Sequence, residues 1–186
     1  MCAMRVLLAS GSPRRRELLL AAGVQVEVRA PELDEAAGAG EAPAAMVMRL
    51  AIEKADTVRT REAVVVAADT AVVLDGEPLG KPADHEHAVG MLSRLSGRRH
   101  EVLTGFCVRR GRERLATVVS TEVWFRALTQ AEIVGYVSTG EPLDKAGGYG
   151  IQGIGGALID RLHGSYTNVV GLPLSEVLAA IREVQR

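Results

Sequence analysis

Hydroxyls at Ser10 and Ser12, guanidinium groups at Arg14, Arg15 and Arg16, and a carboxylate at Asp69 are the groups in this chain best suited to chemistry. A short apolar run, Arg5-Val6-Leu7-Leu8, precedes the basic segment, and Glu17-Leu18-Leu19-Leu20 follows it in a helix-like pattern. Ser12 suits an N-cap and Pro13 the first helical position, where proline's missing N–H would be unpaired anyway. A helix that opens as a strand ends would aim free N–H groups and arginines at an anion, phosphate above all. Cations at a helix N-terminus oppose the helix dipole, a cost that a bound anion would offset. A solvated basic helix start accounts for the same residues.

Asp69 follows six apolar residues at 63–68, the pattern of a strand buried on both faces. At the rim of such a strand a carboxylate can act as general base or ligate a hard cation. It can equally open a turn. Lys81 sits in the stiff turn Gly80-Lys81-Pro82. Lys54 falls within a helical pattern with Met46, Leu50, Ala51 and Ala55, and the plainer reading of that pattern leaves its ammonium in solvent. Glu32, Asp34 and Glu35 form an acidic loop, either solvated or a source of a magnesium ligand. Residues 147–156 are too glycine-dense for a regular element, and Gln152 is the side chain there with donors and an acceptor for a base edge. Arg14, Arg15, Lys54 and Lys81 set against Glu35 and Asp69 read together as a polyphosphate-plus-metal site, provided the fold brings them together.

The elements that must position these groups alternate along the chain. Strands are expected at 5–9, 24–28, 63–68 and 71–74, with a break at Asp69-Thr70 and a hairpin turn at Asp75-Gly76. Two long strands near 100–110 and 115–126 meet at Gly111-Arg112, and a short strand is expected at 157–162. Helices are expected near 13–22, 43–61, 84–95, 129–138 and 173–185. The result is a mixed α/β sheet with its polar residues at strand ends, where ligands of such sheets usually sit.

Composition narrows the partners. Aromatic residues make up 3%, too few for a base-stacking platform on single-stranded nucleic acid. A net charge of −1 gives no general attraction to DNA, RNA or an anionic membrane, so anion binding must come from a local cluster. Cys2 and Cys107 have no metal or redox spacing; Cys2 is expected in a mobile terminus and Cys107 in a strand core. The apolar runs are too short for a signal peptide or a membrane span, and a cytoplasmic setting is expected.

The chain also resembles the Maf family of nucleoside triphosphate pyrophosphatases along almost its whole length. The resemblance rests on Ala9-Ser10-Gly11-Ser12-Pro13-Arg14-Arg15, Glu53-Lys54-Ala55, Ala68-Asp69-Thr70 and Gly80-Lys81-Pro82. Glu141-Pro142-Leu143-Asp144-Lys145-Ala146-Gly147, Gly150-Ile151-Gln152-Gly153 and the segment from Gly164 to Pro173 complete it. It implies one domain over 1–186, an elongated mixed α/β sheet flanked by helices, with two lobes around a central cleft, related to the inosine triphosphate pyrophosphatases. It implies hydrolysis of a nucleoside triphosphate to the monophosphate and pyrophosphate with a divalent cation, Mg2+ or Mn2+. Asp69 matches the family's proton acceptor and a metal carboxylate. Ser10, Arg15, Glu35, Lys54 and Lys81 match positions that handle phosphate and metal. Asp144 and Lys145 match a segment near the cleft. Arg14, Thr70 and Gln152 match the branch resembling dTTP/UTP pyrophosphatases; the 7-methyl-GTP branch typically has Trp, Gln and Glu there. A neutral glutamine can pair with the imide edge of a pyrimidine, whereas a glutamate suits the donors of guanine. A 7-methyl-GTP pyrophosphatase and a nucleotide-binding regulator of division stay open as alternatives, and the resemblance makes a homodimer plausible. The acidic loop departs from the family pattern, and its Ala/Gly insert at 36–42 is expected to be mobile.

Overall fold

The computed structural model describes residues 5–186, so Cys2 lies outside the described residues. The elements are β1 (Val6–Leu8), α1 (Pro13–Ala21), β2 (Val26–Val28), α2 (Pro43–Thr57), β3 (Val64–Leu74), β4 (Glu77–Leu79) and α3 (His85–Leu95). They continue with β5 (Arg99–Arg110), β6 (Glu113–Phe125), α4 (Gln130–Ser138), β7 (Ile159–His163), α5 (Tyr166–Val170) and α6 (Leu174–Glu183). The strands form one mixed sheet in the order β2-β1-β3-β5-β6-β7, with β4 also paired to β3. β1 runs parallel to β2 and β3, whereas β4 is antiparallel to β3 and β7 antiparallel to β6.

The chain divides into two compact units. The first comprises residues 5–70, Thr104–Val119 and Gly171–Arg186; the second comprises Ala71–Leu103 and Ser120–Val170. In the first unit the side chains of each strand alternate between two apolar layers. Val6, Leu8, Val64, Val66, Ala68, Phe106 and Val108 pack with Leu19 of α1 and Val177, Ala180 and Ile181 of α6. Leu7, Ala9, Val65, Ala67 and Cys107 pack against Ala51 and Ala55 of α2. Gly105 lets α2 lie close to β5: a Cβ there would stand 2.3 Å from the Val47 carbonyl oxygen. In the second unit Val72, Leu74, Val102, Val123 and Phe125 pack against Ala88, Leu92 and Leu95 of α3 and against Ile133, Tyr136 and Val137 of α4.

Local signals account for many boundaries. Asp84 caps α3 by accepting the His87 N–H at 2.8 Å. Thr129 and Glu132 form a reciprocal capping box at the start of α4. Asp75 and Gly76 both have positive φ, as a tight two-residue hairpin turn requires. Three expectations change. β3 is not broken at Asp69-Thr70 but continues to Leu74. Strand pairing outweighs the weak β-propensity of aspartate here, because the carboxylate finds a cation. α2 stops at Thr57, not near Arg61; the Arg109 guanidinium takes up carbonyls at its end, at 3.0 Å from Ala55 O and also on Val58 O. α5 at Tyr166–Val170 forms where no element was expected.

Candidate active site

Because successive strand residues face opposite ways, Asp69 and Thr70 deliver their side chains to the two faces of β3. Asp69 shares the face of Val65 and Ala67, under α2, and there it meets Lys54. The Lys54 ammonium donates to Asp69 Oδ1 at 2.6 Å and pairs with Glu35 Oε1 at 2.7 Å. The Lys54 side chain is only 4% exposed and that of Asp69 12%, whereas Glu35 is 55% exposed. Lys54 is therefore buried, not solvated as its place in the helical pattern suggested. The helix is amphipathic around apolar residues, and a lysine can occupy its inner stripe once two carboxylates replace the water around the ammonium.

Thr70 opens on the other face, where Arg15 reaches it from α1. The buried guanidinium donates from Nε to Gly171 O at 2.7 Å, from Nη1 to Ser10 Oγ at 2.9 Å and from Nη2 to Thr70 Oγ1 at 3.0 Å. Thr104 Oγ1 lies 2.9 Å from Thr70 Oγ1 and extends the network. Thr70, matched to substrate choice by the resemblance, thus has its hydroxyl engaged within the chain. Ser12 stands at the N-cap of α1, yet its hydroxyl makes no capping bond. Ser10 is the more active serine: its Oγ accepts from Ser12 N–H at 3.3 Å as well as from Arg15. Arg14 is half-buried and Arg16 exposed.

The two clusters feel each other. Burial pulls the Arg15 guanidinium below its ordinary value; Asp69 opposes this, Arg14 adds to it, and Glu35 opposes it more weakly. Two carboxylate oxygens meeting at one Lys54 Nζ form a hard, all-oxygen donor pair. Magnesium is commonly held by one or two carboxylates, substrate phosphates and water, so Glu35 and Asp69 fit such a cation. Among the described residues, no group of three or more His, Cys, Asp and Glu side chains gathers to hold a metal. The loop carrying Glu35 is fastened to α2 by Arg49. Its guanidinium grips Glu41 at 2.8 and 2.7 Å and donates to Ala36 O at 3.1 Å. Arg49 holds the Glu41 carboxyl down at about 2, helped by the Gly38 N–H. The 36–42 insert, expected to be mobile, is thus tied at both ends.

Lys81 and Gln152 belong to the second unit, and both are exposed. Gln152 directly precedes the 3-10 segment Gly153–Leu158. Lys145 donates to Glu141 O at 2.6 Å and to Asp144 Oδ1 at 2.7 Å. Glu141 organises the glycine-rich stretch by accepting from Tyr136 OH at 2.9 Å and from Gly155 N–H at 3.1 Å. Reasoning from residue types missed Glu141, Arg49, Thr104 and the Gly171 carbonyl. The i,i+4 pair of Arg49 with Glu53 on α2 was the available signal for Arg49; a backbone carbonyl leaves none.

Known proteins resemble this chain along nearly its whole length. The Maf-like protein family model matches residues 5–184. A dTTP/UTP pyrophosphatase from Anaeromyxobacter dehalogenans (strain 2CP-C) is 56% identical over 97% of this chain and 94% of its own. A dTTP/UTP pyrophosphatase from Symbiobacterium thermophilum is 51% identical over 96% and 93%. One from Vibrio cholerae is 50% identical over 92% and 94%. Among solved structures, a HAM1 protein from Coxiella burnetii superposes with a TM-score of 0.58 at 15% identity, covering 97% of this chain and 99% of that one. The Staphylococcus aureus Ham1 protein gives 0.54 at 14%, covering 98% and 100%. At such identities the likeness is one of fold.

Proposed function

This chain belongs to the Maf family, and on that premise we propose that it hydrolyses dTTP and UTP to the monophosphate and pyrophosphate, with residues 1–186 acting as one catalytic domain. Relatives 50–56% identical over nearly their full length carry the name dTTP/UTP pyrophosphatase, which supports the substrate. The observation that carries the chemistry is the Lys54 ammonium held between Asp69 and Glu35.

In this reading a water attacks the α-phosphorus, the bond to the bridging oxygen breaks, and pyrophosphate leaves with the electron pair. Asp69 takes the proton. Its Oδ1 is engaged by Lys54, so Oδ2 is the oxygen that accepts it. Lys54 and Arg15 counter charge on the phosphates, Ser10 orients the Arg15 fork, and Lys81 adds a further cation. Glu35 and Asp69 would hold Mg2+ or Mn2+, which when bound supplies Lewis-acid neutralisation of phosphate oxygens. Arg14, Thr70 and Gln152 bear on the choice of base, with Gln152 as the reader of the pyrimidine edge. A cytoplasmic homodimer is the setting we expect. Among the described residues no helix is long and apolar enough to cross a membrane.

Pyrophosphate release across a nucleotide panel tests the reading. dTTP and UTP should be turned over well ahead of GTP and 7-methyl-GTP. Activity should vanish with a chelator and return with Mg2+ or Mn2+. A preference for 7-methyl-GTP would overturn the substrate, and no release from any nucleotide would overturn the enzyme.

A further inference from the structure

At the C-terminal end of α2 lies a cavity of about 740 Å3 that shares no residue with the Lys54 and Arg15 clusters. The connection from α2 to β3 and the turn between β5 and β6 form it, together with the adjoining ends of α2, β5 and β6. They adjoin closely: a Cβ on Gly111 would stand 3.5 Å from the Arg61 carbonyl oxygen. Five arginines line it against two carboxylates, Asp56 and Glu113. Two of the five have internal tasks. Arg109 donates to the Ala55 carbonyl at 3.1 and 3.0 Å and lies 3.5 Å from Asp56, and Arg114 pairs with Asp56.

The other three, Arg59, Arg61 and Arg112, are exposed. They make no hydrogen bond or ion pair among the described residues. Guanidinium groups gathered around one concavity repel one another unless an anion brings acceptor oxygens to several at once. The volume is that of a small-molecule site. Its lining has no aromatic side chain on which a base could stack. We propose that this cavity is a second anion site that takes a compact polyphosphate, either free pyrophosphate or the polyphosphate tail of a nucleotide. Arg59, Arg61 and Arg112 bind the oxygens, while Arg109 and Arg114 brace the loops from behind.

The test is an amide NMR titration of the full chain with sodium pyrophosphate at constant ionic strength and without divalent metal. Amides at 59–62 and 111–114 should shift and saturate. A variant combining Arg59→Ser, Arg61→Ser and Arg112→Ser should lose those shifts while keeping any at 10–16, with affinity at the cavity reduced at least about tenfold, the weight of one charge-assisted hydrogen bond. A parallel titration with a nucleoside triphosphate carrying a non-hydrolysable α–β bridge separates the sources. Shifts at 59–62 with that compound assign the nucleotide tail, and shifts with pyrophosphate alone assign the free anion. Silence at these amides with both compounds, the same shifts in the triple variant, or the same shifts with equivalent sodium chloride would overturn the site.

Discussion

Lys54 and Asp69 meet 2.6 Å apart, ammonium to carboxylate oxygen, with both side chains nearly withdrawn from water. A pair in that state is costly to break, because either partner alone is a buried charge. Lys54→Met should lower unfolding stability by about 3–5 kcal/mol. Asp69→Asn should cost less, since Glu35 still engages the ammonium, yet slow pyrophosphate release by roughly 10²–10⁴-fold. Urea unfolding and steady-state kinetics check both. Wild-type stability in the methionine variant, or near-normal turnover in the asparagine variant, would remove the pair from the centre of the site.

Arg15 satisfies three partners that lie in different directions, Gly171 O, Ser10 Oγ and Thr70 Oγ1. A lysine keeps the charge but lacks the planar fork. Arg15→Lys should therefore cost about 1–3 kcal/mol and lower kcat/KM. Thermal melting and kinetics read the two effects separately. A lysine variant indistinguishable from wild type would mean that charge alone matters here.

Gln152 offers an amide where the resemblance places base choice. Gln152→Glu replaces a donor with an acceptor and should lower kcat/KM for dTTP and UTP by about tenfold or more. The ratio of dTTP to GTP turnover is the measurement. An unchanged ratio would take base reading away from this residue.

His100 is buried, 2% exposed, with Nε2 2.7 Å from Tyr149 OH and Phe125 packed edge-on. Burial pushes the imidazole down to about 4 from an ordinary 6.5. The unfolded chain therefore takes up a proton that the folded chain refuses. The neutral ring's contribution is complete above about 6.5 and is lost as the pH falls toward about 4, on the order of 3 kcal/mol in all. Urea midpoints at pH 7 and pH 5 should differ accordingly, and His100→Gln, which keeps a group for Tyr149, should flatten the difference. An equal acid loss in that variant would assign it to the carboxylates.

The legible parts of this molecule were local. Ser12-Pro13 announced α1, Asp75-Gly76 announced the hairpin, and the apolar run at 63–68 announced β3. Each depends on residues within a few positions of one another, so proline and turn sterics and apolar patterning bias these elements locally. The motifs carrying Ser10, Arg15, Lys54 and Asp69 were also visible as residue types.

Their arrangement was not. Periodicity left Lys54 in solvent, and turn chemistry ended β3 at Asp69. Nothing local said which of three arginines would be buried. Those outcomes hang on pairings 15 residues apart for Lys54 and Asp69 and 156 apart for Arg15 and Gly171. A charge can enter an apolar layer only where a distant segment supplies its counter-charge or carbonyl, and only the folded sheet with α2 packed on β3 does so. Sequence alone thus determined which chemical groups the chain owns and which short elements carry them. The tertiary structure decided which groups meet, because alternation along β3 sends neighbours Asp69 and Thr70 to opposite faces and so to different partners.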